Sequence, residues 1–198
     1  MLILASTSAA RKALLAGAGL DFESSPAPID ERAEEANALG KAPGAVAVHL
    51  ATAKARAVSA LHPGATVIGG DQVLSLGDAI FQKPANMAAA RAQLDALAGR
   101  THRLTSALAL ARDGAVLWSH SSIAELTMRS FSTVERDAVL AEEGDAVLGS
   151  VGAYRLEGPS IRLFDTIVGD YFTILGLPLL PLLAALREHA PATLKGFT

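Results

Sequence analysis

Apolar residues along the chain fall into short alternating runs and longer stretches of helical spacing, punctuated by glycine, proline and aspartate. Leu2–Ala5 is a short strand-type run, followed by Ser6-Thr7-Ser8 and a helical stretch through Arg11-Lys12-Ala13-Leu14-Leu15 that Gly17 and Gly19 stop. Residues 43–61 form an Ala-rich helical pattern opened by Pro43 and closed by His62-Pro63-Gly64, and residues 66–68 resume as a buried strand. Residues 73–76, the Gly77-Asp78 turn and Ile80-Phe81 read as a hairpin, and Asn86 caps a helix through Leu97 that ends at Gly99. Two long alternating stretches, about 103–112 and 115–128, are joined by Asp113-Gly114, the strongest hairpin signal in the chain. Ser132-Thr133-Val134-Glu135 is a capping box for a helix to about Glu143. Strands are expected near 160–175, and Pro178 opens a last helix to about His189.

Helices and strands interleave without clean alternation, so the pattern predicts an α/β fold with a mixed sheet flanked by helices. At 198 residues, without repeats or a low-complexity linker, the chain is expected to form a single domain, residues 1–198.

Composition narrows the chemistry. Apolar residues make up 51% of the chain, many of them alanine, yet no run reaches the roughly 18 needed to span a membrane. The start has no basic segment followed by an apolar one, so a soluble cytoplasmic protein without membrane partners is expected. With no cysteine, any metal must be held by oxygen or imidazole. The net charge is −3 and basic residues do not cluster, which argues against polymeric nucleic acid but leaves room for a small anionic ligand.

Two places point to such a ligand. Ser6-Thr7-Ser8 with Arg11 and Lys12 opens a helix after a strand, where free N–H groups, the helix dipole and a guanidinium favour phosphate. A Ser in this position is also an ordinary N-cap. Gly69-Gly70-Asp71-Gln72 follows a β-run, which predicts Asp71 at the carboxyl end of a strand, where open α/β sheets bind ligands. Lys83-Pro84 is a weaker candidate. The patterns of P-loop, dinucleotide-binding and His-Glu-x-x-His proteins are absent, the five histidines are scattered, and no Gly-x-Ser-x-Gly elbow supports an acyl hydrolase using Ser6 or Ser8.

Leu-Ile-Leu-Ala-Ser-Thr-Ser-x-x-Arg-Lys at the start, Ile29-Asp30-Glu31, Ala53-Lys54-Ala55, Gly70-Asp71-Gln72-Val73, Lys83-Pro84, Gly99-Arg100-Thr101-His102, and residues 154–158 and 169–178 follow in a characteristic order. Together they resemble the Maf family over residues 2 to about 183. The resemblance implies a twisted mixed sheet in two lobes around a nucleotide cleft, akin to inosine triphosphate pyrophosphatases. It implies hydrolysis of a nucleoside triphosphate to the monophosphate and pyrophosphate. Asp71, Glu31, Lys54 and Lys83 would form the catalytic set, with Asp71 the proton acceptor for the attacking water. Ser6, Ser8, Arg11 and Lys12 would bind phosphate, and Asp71 and Glu31 would hold magnesium or manganese. A homodimer is implied on the same ground.

In the family the base is sorted at positions that map to Ala10, Gln72 and Glu157. Gln72 and Glu157 resemble the subgroup acting on 7-methyl-GTP, and a carboxylate can accept from guanine N1–H and the N2 amine together. Ala10 departs from that subgroup, which carries a large aromatic there able to stack on a cationic purine. Another modified or noncanonical nucleotide is therefore also open. The rival reading is a nucleotide-binding regulator of septum formation and cell division with little catalysis; the presence of every candidate metal and phosphate residue leans against it.

Overall fold

The computed structural model describes residues 1–38, 40 and 42–194. In chain order the elements are β1 (Leu2–Ala5), α1 (Ala9–Gly17), β2 (Glu23–Ser24), α2 (Glu31–Asn37), α3 (Pro43–Leu61), β3 (Thr66–Leu76), β4 (Ala79–Phe81), α4 (Met87–Leu97), β5 (Thr101–Arg112), β6 (Ala115–Met128), α5 (Thr133–Glu143), β7 (Phe164–Val168), α6 (Tyr171–Ile174) and α7 (Leu179–His189). Short 3-10 helices span Gly144–Gly149, Pro159–Leu163 and Pro191–Thr193. The sheet order is β2-β1-β3-β5-β6-β7, with β4 added to β3. β1 runs parallel to β2 and β3, while β3/β4 and β6/β7 are antiparallel, so the sheet is mixed as the interleaved pattern predicts.

The chain divides into two compact units, and the division falls within β3, β5 and β6. The first comprises Met1–Gln72, Ser106–Ser122 and Asp170–Thr198. Period-two alternation along β1 sends Leu2 and Leu4 into a cluster with Leu15 of α1, Ile68, Leu108, Leu110, and Leu182 and Leu186 of α7. Ile3 and Ala5 enter a second cluster with Val67 and with Val58 of α3. Helices thus cover both faces of this part of the sheet, and β1 is buried throughout, as a parallel strand between two helical layers should be. α3 lies unusually near β3. A Cβ built on Gly69 would stand 2.1 Å from the Ala51 carbonyl oxygen and 2.7 Å from the Ala55 nitrogen, so only glycine fits there.

The second unit comprises Val73–Thr105 and Ile123–Gly169. Its buried side chains include Leu74, Leu94, Leu97, Leu104, Leu126, Leu140 and Leu163. His102 lies among them, its Nε2 2.8 Å from the Tyr154 hydroxyl, while its buried Nδ1 has no partner among the described residues. Burial raises the Tyr154 phenol above its ordinary value and lowers the His102 imidazole to about 4.

Local signals placed most boundaries. Asn86 accepts from the Ala89 N–H, the Ser132/Glu135 capping box is closed from both sides, and Asp113 and Gly114 both take positive φ in the β5–β6 turn. Three expectations need correction. Residues 160–175 are not strands throughout: a 3-10 turn at Pro159–Leu163 precedes β7, and the Asp170 carboxylate caps α6 by accepting from Thr173. The runs 66–68 and 73–76 are one strand, because Gly69 admits the close approach of α3 and Gly70 lies against Arg11 and Leu108 rather than forming a turn. Asp71 therefore lies inside β3, although it stands two residues past the point where β1 ends, at Ala5 opposite Gly69. α2 was not anticipated, since it buries no residue and so carries no apolar stripe.

The buried imidazole predicts a pH dependence of stability. The folded protein keeps His102 neutral down to about pH 4, whereas the unfolded chain takes up a proton below about 6.5. Stability is therefore full above about pH 6.5 and falls as pH drops towards about 4, by about 3 kcal/mol from this group. Urea denaturation across that interval should show a flatter profile for His102→Gln than for the unchanged protein; equal slopes would contradict the assignment.

Candidate active site

Ser8 caps α1 by accepting from the Arg11 backbone N–H at 3.4 Å. Ser6 Oγ accepts from the Ser8 N–H and from Arg11 Nη1, both at 3.2 Å, and the Ser6 carbonyl accepts from the β2 residue Ser24. Each hydroxyl is thereby fixed as an acceptor within the loop and retains its own proton to donate.

Arg11 is buried, and it is not a free fork. Its Nε donates to the Gly176 carbonyl at 2.8 Å and its Nη1 to the Gly70 carbonyl at 2.9 Å, leaving Nη2 without a protein partner among the described residues. Burial lowers its pKa, and the negative charges of Asp71 and Glu31 oppose that shift. Arg11 thus brings charge to the loop while tying the start of α1 to β3 and to the segment after α6.

Lys54 comes from the middle of α3, one turn from where that helix meets Gly69, and is 7% exposed. Its Nζ lies 2.8 Å from Asp71 Oδ1 and 3.0 Å from Glu31 Oε2. Asp71 is 9% exposed, whereas the Glu31 side chain, at the first position of α2 after the Asp30 cap, is 57% exposed. Two carboxylates from different elements therefore converge on one cation, and the inner pair is a largely desolvated ion pair, costly to break from either side.

Gln72 follows Asp71 within β3. Its Nε2 donates to Ser106 Oγ at 2.9 Å and to the carbonyls of Thr173 and Ile174 at 3.2 and 2.9 Å. Ser106 Oγ itself donates to the Thr173 carbonyl at 2.7 Å. With acceptors occupying the amide nitrogen, Oε1 is the atom left to meet a ligand. Neither Ser106 nor Thr173 was singled out from the sequence; a buried serine hydroxyl inside an alternating strand and a backbone carbonyl in α6 carry no distinguishing pattern.

Ser6, Ser8, Arg11, Glu31, Lys54, Asp71 and Gln72 all belong to the first unit, with Ser6, Arg11, Lys54, Asp71 and Glu31 linked through side chains or neighbouring backbone. Lys12, half-buried on α1, has no ion-pair partner among the described residues, and Ala10 is half-buried at the second position of the same helix. Lys83 and Glu157 are exposed residues of the second unit. Among the described residues no group of three His, Asp or Glu side chains forms a ready metal cage. No helix of the described residues is long and apolar enough to cross a membrane.

The family profile described as Maf-like protein matches residues 1–189, which takes in the whole of this constellation. The chain belongs to the Maf family. Among its Maf relatives, a 7-methyl-GTP pyrophosphatase of Brucella abortus biovar 1 (strain 9-941) is 56% identical over 190 residues, 95% of this chain and 96% of its own. A nucleoside triphosphate pyrophosphatase of Bradyrhizobium diazoefficiens is 56% identical over 188 residues, covering 95% and 93%. A 7-methyl-GTP pyrophosphatase of Mesorhizobium japonicum is 57% identical, covering 94% of each chain. Among solved structures, a HAM1 protein from Coxiella burnetii shares 20% identity with a TM-score of 0.46 over 64% of this chain and 72% of its own, too distant a likeness to carry an argument.

The bonding of Arg11 in this Maf chain predicts that Arg11→Lys fails to substitute although charge is kept. One ammonium cannot reach two carbonyls and a hydroxyl arranged along a planar fork. A loss of about 2 kcal/mol in urea denaturation, together with weakened nucleotide binding, is expected; a variant of unchanged stability would contradict the tie.

Proposed function

We propose that the chain hydrolyses a nucleoside triphosphate between its α- and β-phosphates, releasing a nucleoside monophosphate and pyrophosphate in the cytoplasm. The observation that carries this reading is the buried Lys54 ammonium held between Asp71 and Glu31, beside a loop whose hydroxyls and Arg11 are suited to phosphate. The names of the Maf relatives support it. Water adds to the α-phosphorus, its proton passes to an oxygen of Asp71, and the bond to the α–β bridging oxygen breaks with its electron pair leaving on pyrophosphate. Lys54 orients Asp71 through their ion pair; Ser6, Ser8, Arg11 and Lys12 bind the phosphates. A catalytic role for Lys83 is given by the family resemblance alone.

Convergence of two carboxylates on one cation fits a hard divalent metal, magnesium or manganese, held by Asp71 and Glu31, with substrate phosphates and water completing its shell. Such an ion would neutralise phosphate charge as the bond breaks.

For the base, 7-methyl-GTP is the proposed substrate, with Glu157 accepting from guanine N1–H and the N2 amine as the family resemblance implies. Ala10 supplies no stacking ring, which leaves other modified nucleotides with the same donor edge as substrates.

Assay of pyrophosphate release from canonical and modified triphosphates, with and without magnesium or manganese, tests the activity; no release from any of them would leave the regulatory reading. Within that assay Asp71→Asn, which leaves Glu31 as the charged partner of Lys54, should lose stability but still fold and bind nucleotide, while turnover falls by about two to four orders of magnitude. Near-normal turnover would remove Asp71 from the chemistry.

Base selection has its own test. Glu157→Gln replaces one acceptor oxygen by a donor facing a guanine donor, so kcat/KM for 7-methyl-GTP should fall by about 2–4 kcal/mol of transition-state binding. UTP, which flanks its N–H with acceptors, should lose little. A ratio of the two that stays constant would show that Glu157 does not read the base.

A further inference from the structure

Glu143 ends α5 with its side chain wholly buried, and nothing in the proposed chemistry uses it. Its Oε1 accepts from the Ser160 N–H at 2.9 Å and from Ser160 Oγ at 2.7 Å. Its Oε2 lies 3.0 Å from Arg155 Nε, an ion pair without hydrogen-bond geometry. Between those two contacts the chain makes a tight turn, in which the Gly158 N–H donates to the Arg155 carbonyl at 3.2 Å. The carboxylate is packed against the turn itself: a Cβ on Gly158 would stand 2.5 Å from Glu143 Oε1 and 2.9 Å from Oε2. Glu157 is the exposed residue of that turn, immediately before Gly158.

A fully buried carboxylate is a costly way to fill a core position, since an apolar side chain of similar size would serve packing as well or better. What an apolar residue could not do is hold the chain at Arg155, where the turn begins, through one oxygen and at Ser160, two residues past its end, through the other. We infer that Glu143 is a positioning residue for base selection: its buried carboxylate clamps the turn 155–158 and so fixes where Glu157 presents its own carboxylate. This rests on the reading of Glu157 as the acceptor for a guanine-type base.

The test measures kcat and KM for 7-methyl-GTP and UTP on the unchanged protein, Glu143→Gln, Glu157→Gln and the double variant. Glu143→Gln keeps the size and a Ser160 acceptor but removes the charge facing Arg155. It should lower the 7-methyl-GTP to UTP ratio of kcat/KM on the order of tenfold, chiefly through KM for 7-methyl-GTP, as a misplaced contact does. In the double variant it should add nothing to the effect of Glu157→Gln, because both act through one carboxylate. If Glu157→Gln moves the ratio and Glu143→Gln does not, or if the two losses multiply, the clamp is overturned while the base reading stands. If Glu157→Gln itself leaves the ratio unchanged, the base reading has failed and the clamp has no function to serve. Should Glu143→Gln not fold, Gly158→Ala pushes on the same carboxylate from the turn's side; the same fall in ratio is expected, and a constant ratio overturns the proposal.

Discussion

Two cations held away from water organise the first unit. Arg11 from α1 and Lys54 from α3 meet β3 at consecutive residues, the first on the Gly70 carbonyl and the second on the Asp71 carboxylate. Neither could be buried alone, because an unpaired charge in a protein interior is far more expensive than the packing it would gain. Their partners are therefore obligatory, and the path of the chain around residues 70 and 71 is set by electrostatics as much as by the sheet. Apolar burial on both faces of β1 supplies the bulk of the stability, about 1.5–3 kcal/mol for each large aliphatic side chain fully withdrawn from water. The ion pairs decide which arrangement of that core brings a carboxylate pair beside a phosphate-type loop.

Much of this was legible in the residues. Ser8 before α1, Asn86 before α4, the Ser132/Glu135 box and Asp113-Gly114 are local devices whose physics is complete within a few residues. Reading failed where long-range packing decided. The Gly69-Gly70 pair looks like a break in a strand, but Gly69 is there because α3 presses on the sheet and Gly70 lies against Arg11 and Leu108, which no local pattern reveals. α2 escaped notice because it buries no residue, although Asp30 with its acidic first turn was a usable signal. The segment from Pro159 reads as strand throughout, but a proline-opened turn takes its first residues and the Asp170 cap turns its end into α6.

The candidate site divides in the same way. Residue types suited to phosphate could be named in advance, but not how much of each is spent on the protein itself. Arg11 has two of its three nitrogens engaged with backbone carbonyls, and Gln72 has its whole amide nitrogen committed to Ser106, Thr173 and Ile174. Each commitment narrows what the residue can offer a ligand and makes that offer directional. Such partners are invisible along the chain because they come from 34 to 165 residues away.

Gly69 is two residues from Asp71 and touches no candidate substrate group, yet it acts as a spacer between helix and strand. The missing methyl lets α3 settle close enough for the Lys54 stem, three residues past Ala51 and one before Ala55, to lay its ammonium on Asp71. A side chain at 69 would work as a wedge, moving a charge rather than deleting one. An inactivating lesion there would leave every reactive group in the chain and only the distance between them altered, a fault that a census of site residues would pass over.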